Sequence, residues 1–127
     1  MKKRIAINGL GRIGRKLTHL IMRSEKYELV AINDIMPIDM AVYFLKYDST
    51  YGKSDWEITV KDNKICIEDK EIYYSSSPEI ENLIWGELNI DIAVNCSGTH
   101  KSKPQLSQYL ELGIPKVILS SPPDSDD

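Results

Sequence analysis

Arg4-Ile5-Ala6-Ile7-Asn8-Gly9-Leu10-Gly11-Arg12-Ile13-Gly14 is the stretch whose reading decides the fold. Its first half, Arg4 to Asn8, is an apolar run with the character of a β-strand, and Gly9-Leu10-Gly11 turns the chain out of it. A helix is predicted beyond the turn, with Ile13, Leu17, Leu20, Ile21 and Ser24 at helical spacing. Lys26 breaks that stripe, and Glu28-Leu29-Val30-Ala31-Ile32-Asn33 follows as an almost continuous apolar strand. A strand with so little polar alternation fits a parallel sheet covered on both faces. Strand, helix and strand within about 30 residues make one βαβ unit.

The glycines of this unit have the spacing Gly9-x-Gly11-x-x-Gly14. That spacing alone is a weak signal, but here it follows a predicted strand, opens a predicted helix, and is answered by Asp34 at the end of the second strand, about 20 residues on. Gly9 permits the sharp turn, Gly11 leaves room for a diphosphate to approach the backbone, and Gly14 lets the helix lie close to the sheet. Amides at the helix start, including those of Arg12 and Ile13, then point at the phosphates, and the helix dipole favours their charge. A carboxylate at Asp34 can accept from ribose hydroxyls and would repel a 2′-phosphate, which favours NAD over NADP. Lys46 and Lys53 stand near enough in sequence to soften that preference.

The remaining segments extend the same pattern outward. After Pro37, Asp39 to Tyr47 reads as a helix with Asp39 as its N-cap. Trp56 to Val60, Lys64 to Glu68 and Glu71 to Tyr74 read as short strands joined by tight turns, an antiparallel insertion too small to bury a core of its own. Ser77-Pro78 opens a predicted short helical segment ending near Trp85-Gly86, and Asp91 to Asn95 is a buried strand with Ser97-Gly98 as its exit loop. Ser102, Pro104 and Gln105 form a helix-start signature; Leu106, Leu110 and Leu112 supply an apolar side and Gly113 the stop. Lys116 to Ser120 is the last predicted strand. The whole reads as a Rossmann-type, doubly wound α/β domain over residues 1–121, mostly parallel with a short antiparallel insertion, followed by a disordered tail at 122–127. Ligands of such sheets lie outside the carboxyl ends of the strands, which adds Ser97, Gly98 and Ser120 to the candidates.

Bulk composition narrows the partners. The chain has 16 Lys and Arg against 19 Asp and Glu, a net charge of −3, and three of those acids are Asp124, Asp126 and Asp127. No basic stretch is concentrated enough to bind a nucleic acid through counterion release. No apolar run approaches the ~20 residues of a membrane span, and no signal-peptide core precedes the first strand. Cys66 and Cys96 follow no metal-ligand spacing and read as packed, reduced thiols of a cytoplasmic protein. Neither His19, expected on the helix surface, nor His100 is set beside a nucleophile.

Ile7-Asn8-Gly9-Leu10-Gly11-Arg12-Ile13-Gly14-Arg15 closely resembles the I-N-G-F-G-R-I-G-R that opens phosphorylating glyceraldehyde-3-phosphate dehydrogenases. Four more stretches resemble the family in order: Val30 to Asp34 (V-A-I-N-D), Tyr47 to Lys53 (Y-D-S-T-H-G-K), Ile84-Trp85-Gly86 (I-x-W-G) and Lys116 to Pro122 (R-V-I-I-S-A-P). The resemblance implies that Asn8, Gly9, Gly11, Arg12 and Ile13 lie along the diphosphate of NAD and that Asp34 holds the adenosine ribose. It implies that Ser97, in a position often held by threonine, and Gly98 line the cofactor, and that Ser120 lies towards the nicotinamide. Ser76 stands about where many members carry an adenine-contacting Arg or Lys, and His100 where an aromatic residue often flanks the adenine.

The resemblance also implies an activity. Members oxidise and phosphorylate glyceraldehyde 3-phosphate to 1,3-bisphosphoglycerate in glycolysis, as homotetramers, through a cysteine thiolate that attacks the aldehyde, NAD that takes the hydride, and phosphate that releases the acyl group. Their nucleophilic cysteine, histidine base and catalytic domain follow the motif matched at Ser120. The 127 residues read as the N-terminal, cofactor-binding part of such an enzyme, without its catalytic domain, and the isolated chain is expected to be inactive. A stand-alone nucleotide-binding module, or part of an erythrose 4-phosphate dehydrogenase, would carry the same motifs.

Overall fold

A computed structural model describes residues 2–47, 57–68, 70–79, 83–96 and 103–119. Seven strands and three helices are found among them: β1 Lys3–Asn8, α1 Arg12–Met22, β2 Tyr27–Asn33, α2 Ile38–Lys46, β3 Ile58–Lys61, β4 Lys64–Ile67, β5 Lys70–Ser75, β6 Ile92–Asn95, α3 Lys103–Glu111 and β7 Lys116–Leu119. The strands form one sheet in the order β3-β4-β5-β2-β1-β6-β7. From β5 to β7 every pair is parallel; β3 and β4 are antiparallel, as are β4 and β5. β1 is the middle one of the five parallel strands; β2 lies between β5 and β1, and its residues Leu29 to Asn33 are all buried. The expected doubly wound architecture is present.

The antiparallel part is smaller than expected. β5 pairs with β4 but also runs parallel to β2, with Ala31, Ile32 and Asn33 opposite Tyr73, Tyr74 and Ser75. It is therefore the edge of the parallel sheet, and only β3 and β4 are added to it. Its alternation arises because Ile72 and Tyr74 are buried on one face while Tyr73 is exposed on the other. Asp62 and Asn63, both at positive φ, make the two-residue turn between β3 and β4.

Two cores flank the sheet. Ile5, Ile7, Ile32, Leu10, Ile21 and Leu45 belong to the one beneath α1 and α2. Ala6, Ala31, Ala93, Trp85, Tyr109 and Ile114 belong to the other, beneath α3. Small residues in the second set let α3 and the segment of Trp85 lie close to the strands. Of the helix expected between Ser77 and Gly86, the described residues contain a 3-10 turn at Ile84–Glu87, whose Trp85 stacks on Tyr109 with ring centroids 6.0 Å apart.

Three helix readings are corrected. Ile13 and Leu20 of the predicted α1 stripe are each 52% exposed; the buried face is Gly14, Thr18 and Ile21, and it extends to His19, which is buried rather than on the surface. Ile21 and Leu17 of the stripe do join the core, and Leu20 lines a groove that is open beside the sheet. α2 starts one residue early, with Pro37 as N-cap; Asp39 sits inside the first turn, where its charge still complements the helix dipole. In α3 Leu110 is exposed and Tyr109 is fully buried, with Leu106 and Leu112 packed at its sides. The capping residue expected at Ser102 and the tail at 122–127 lie outside the described residues. Cys66 and Cys96 are both half-buried, and no disulfide joins them.

An apolar groove of about 320 Å³ runs between α1 and the sheet, lined by Ile5, Leu17, Leu20, Ile92, Val94 and Ile118 among others. It shares no residue with the glycine turn. α3 ends as predicted at Gly113, φ +88°, where the Ile114 amide donates to the Tyr109 carbonyl and the Gly113 amide to that of Leu110. Because a side chain is strained at that φ, Gly113→Ala should lower stability by about 1 kcal/mol in a urea unfolding titration; an unchanged midpoint would contradict the assignment.

Candidate functional site

β1 delivers the chain to a tight turn. Gly9 has φ +106°, and its amide still donates to the Asn33 carbonyl at 2.7 Å, so the turn starts from the last rung of the β1–β2 ladder. A Cβ on Gly14 would lie 2.0 Å from the Gly9 carbonyl oxygen. The first turn of α1 thus rests directly on the backbone of the turn, and only glycine fits there. Thr18, also buried, donates its hydroxyl to the Gly14 carbonyl at 2.8 Å.

Gly11 differs from both. Its backbone is extended, at φ −75° and ψ −161°, a conformation open to any residue, and a Cβ there would meet nothing within 4 Å. Neither the fold nor the packing requires glycine at this position. As the N-cap of α1, Gly11 makes no side-chain cap bond, the first turn holds no acidic residue, and Arg12 is exposed beside it. A helix start normally gains from a side-chain acceptor and an acidic residue. Here an exposed, cationic helix start is left open to an anion.

Asp34 closes the other side of the turn. Its Oδ2 accepts from the Leu10 amide at 2.5 Å and its Oδ1 from the Met36 amide at 3.2 Å. The Asp34 amide donates to the Ser75 carbonyl at 3.1 Å. The carboxylate is held by backbone on two sides and is half-exposed, which leaves acceptor positions for hydroxyl groups. Tyr74 donates to the Met36 carbonyl at 2.6 Å, and burial, with Asp34 close by, pushes its phenol well above the ordinary value, so it stays a donor. Arg15 donates to the Leu10 carbonyl at 3.1 Å while its guanidinium lies 5.0 Å from the centre of the Phe44 ring, which ties α2 to the turn.

Below the turn runs a row of side chains the sequence analysis did not connect. Asn8, Asn33 and Asn95 are in register at the ends of β1, β2 and β6, and all three are buried. Asn33 donates to Asn8 Oδ1 at 2.9 Å, Asn8 donates to the Tyr109 hydroxyl at 2.7 Å, and that hydroxyl donates to Asn95 Oδ1 at 2.8 Å. At the far end Ser75 donates its hydroxyl to Asn33 Oδ1 at 2.7 Å, and Ser77 clamps Asn33 through its amide and carbonyl. Burial pushes the Tyr109 phenol well above its ordinary value, so it remains protonated and serves as donor and acceptor at once. The signal was present in the sequence: three apolar strand runs each end in Asn, and Tyr109 is midway at three-residue spacing between Leu106 and Leu112.

Of the sequence candidates, the structure brings Asn8, Gly9, Gly11, Arg12, Ile13 and Asp34 together around the turn. Ser76 is exposed at the exit of β5, between the two serines that hold Asn33. Ser97, Gly98, His100, Ser120 and Lys53 lie outside the described residues. No group of His, Cys, Asp or Glu among the described residues could hold a metal ion.

Residues 3–103 match the family model of the glyceraldehyde 3-phosphate dehydrogenase NAD-binding domain. The chain belongs to this family. Whole-chain similarity agrees: it is 36% identical over 127 residues to the glyceraldehyde-3-phosphate dehydrogenase of Geobacillus stearothermophilus, covering all of this chain and 38% of that protein. It is 39% identical over 119 residues to that of Mycoplasma pneumoniae (94% and 35%) and 37% identical over 123 residues to that of Clostridium pasteurianum (97% and 37%). The chain spans a little over a third of the length of these relatives. The family is one of NAD-binding domains, and the open glycine turn with its anchored carboxylate suits that cofactor.

The two glycines should therefore respond differently to the same substitution. Gly14→Ala should cost about 2–3 kcal/mol, since backbone must move to admit the Cβ. Gly11→Ala should change stability by less than about 0.5 kcal/mol. Thermal or urea unfolding of the two variants side by side checks this; equal losses would contradict it.

Proposed function

We propose that this chain holds NAD for a phosphorylating glyceraldehyde-3-phosphate dehydrogenase, with the diphosphate over Gly9 to Ile13 and the adenosine ribose on Asp34. The observation that carries the reading is Gly11: a glycine without a conformational or packing reason, at the start of an uncapped, cationic helix. Its missing side chain is explained by a ligand that approaches the backbone there. The exposed amides of the first turn and the N-terminal end of the helix dipole would then face the phosphates. Asn8 acts from below the turn, Arg12 adds a positive charge beside it, and Ile13 contributes its amide and an exposed apolar side chain.

Asp34 sets the choice of dinucleotide in this reading. Two of its acceptor positions are taken by the Leu10 and Met36 amides, which fixes the plane of the carboxylate. The remaining positions suit the paired hydroxyls of a ribose, and the charge repels a 2′-phosphate. Ser76, Ser97, Gly98 and Ser120 complete the proposed cofactor contacts at the strand exits. NAD, when bound, supplies a hydride acceptor. The chain's own part is to hold and orient it; the aldehyde, the phosphate and the homotetramer belong to the proposal for the whole enzyme in the cytoplasm, where glycolysis runs.

Calorimetric titration tests the reading. The chain should bind NAD at least about tenfold more tightly than NADP, the margin that one unfavourable charge contact gives. Gly11→Ala should weaken NAD by about tenfold or more without a matching loss of stability. Equal or tighter binding of NADP would contradict the role of Asp34, and full NAD affinity in Gly11→Ala would contradict the placement of the diphosphate.

A further inference from the structure

We propose that Tyr109 is a positioning residue for dinucleotide binding, acting through Asn8 and Asn95 rather than by touching the ligand. The inference rests on the NAD reading above and goes beyond it, because Tyr109 lies on α3, on the opposite face of the sheet from α1.

The Tyr109 ring is fully buried and stacked on Trp85. Packing alone would be satisfied by phenylalanine. The hydroxyl instead reaches the polar row at the strand ends, where it accepts from Asn8 and donates to Asn95. Each of these asparagines is the last residue before a strand exit. Asn8 precedes Gly9, Asn33 precedes Asp34, and Asn95 precedes Cys96, whose amide donates to the Asn8 carbonyl at 2.7 Å. One hydroxyl thereby sets the relative height of the glycine turn and the β6 exit, and through Asn33 that of Asp34.

Removing it leaves a buried amide donor on Asn8 and a buried acceptor on Asn95 with one partner fewer. Such groups are costly to strand, so the side chains would turn to seek other partners. A turn of Asn8 would break its bond from Asn33 and loosen the turn against Asp34. The Leu10 amide, which bonds to Asp34, reports that loosening without any ligand.

The experiment compares Tyr109→Phe, Ser75→Ala and Ile114→Val in the full chain. Ile114→Val trims the same core as Tyr109 without touching the polar row. Amide hydrogen exchange of Leu10 and Cys96 is read in the free proteins, and NAD affinity by titration. Tyr109→Phe should speed both exchanges and weaken NAD by about tenfold. Ser75→Ala, which trims the far end of the row, should move both readouts the same way by about threefold, and carries the test if Tyr109→Phe does not fold. Ile114→Val should leave both as in the parent chain. NAD affinity within twofold of the parent in Tyr109→Phe or Ser75→Ala, or an equal loss in Ile114→Val, would overturn the positioning role while leaving the NAD site intact. A parent chain that binds no NAD would overturn the NAD reading itself, and this inference with it.

Discussion

Asn8, Asn33 and Asn95 stand in one row across three parallel strands, buried at the level where the chain leaves the sheet. Parallel register puts them side by side, and burial obliges each to find a partner: Asn33 bonds to Asn8, and the Tyr109 hydroxyl joins Asn8 to Asn95. The strands cannot slip by a residue without stranding several polar groups at once. The row therefore fixes how the sheet is aligned at its carboxyl end, and every loop of the candidate site starts from it. The apolar faces above and below are more tolerant, since large and small hydrophobes can be exchanged at roughly constant volume.

The glycine turn is built on that fixed edge, and its glycines are there for three separate reasons. Gly9 meets a conformational demand and Gly14 a steric one, both internal to the fold. Gly11 meets neither. Around it the local rules of helix stability are set aside, with an uncapped start and arginine where an acid would be favourable. Local rules that fail without an internal compensation mark a functional site. Asp34 joins the two sides: its carboxylate braces the turn through Leu10 and presents its remaining acceptors outward.

Much of this was legible in the residues alone. The apolar run of β2, the spacing of the glycines and the position of Asp34 specify a βαβ unit, and the structure contains it with boundaries shifted by about one residue. What was less legible depends on contacts distant in sequence. Ile13 and Leu20 have helical spacing yet are half-exposed: Ile13 lies in the open first turn of α1, and Leu20 lines a groove beside the sheet that the described residues leave uncovered. Glu71 to Tyr74 alternates like a hairpin strand and is one, but its second partner, β2, lies some forty residues back in the chain. The Asn row was visible only as three separate strand endings; their bonding needs the register. Tyr109 looked like an ordinary helix residue until the fold carried its hydroxyl to that row.

The central claim is that NAD lies across the open start of α1. The most direct measurement is a ¹⁵N–¹H spectrum of the chain titrated with NAD. The account predicts that the amides of Gly11, Arg12, Ile13 and Asp34 shift first and furthest, while those lining the apolar groove, such as Leu20 and Ile118, stay in place. Shifts centred on the groove or on β3 and β4, with the glycine turn unmoved at saturation, would contradict it.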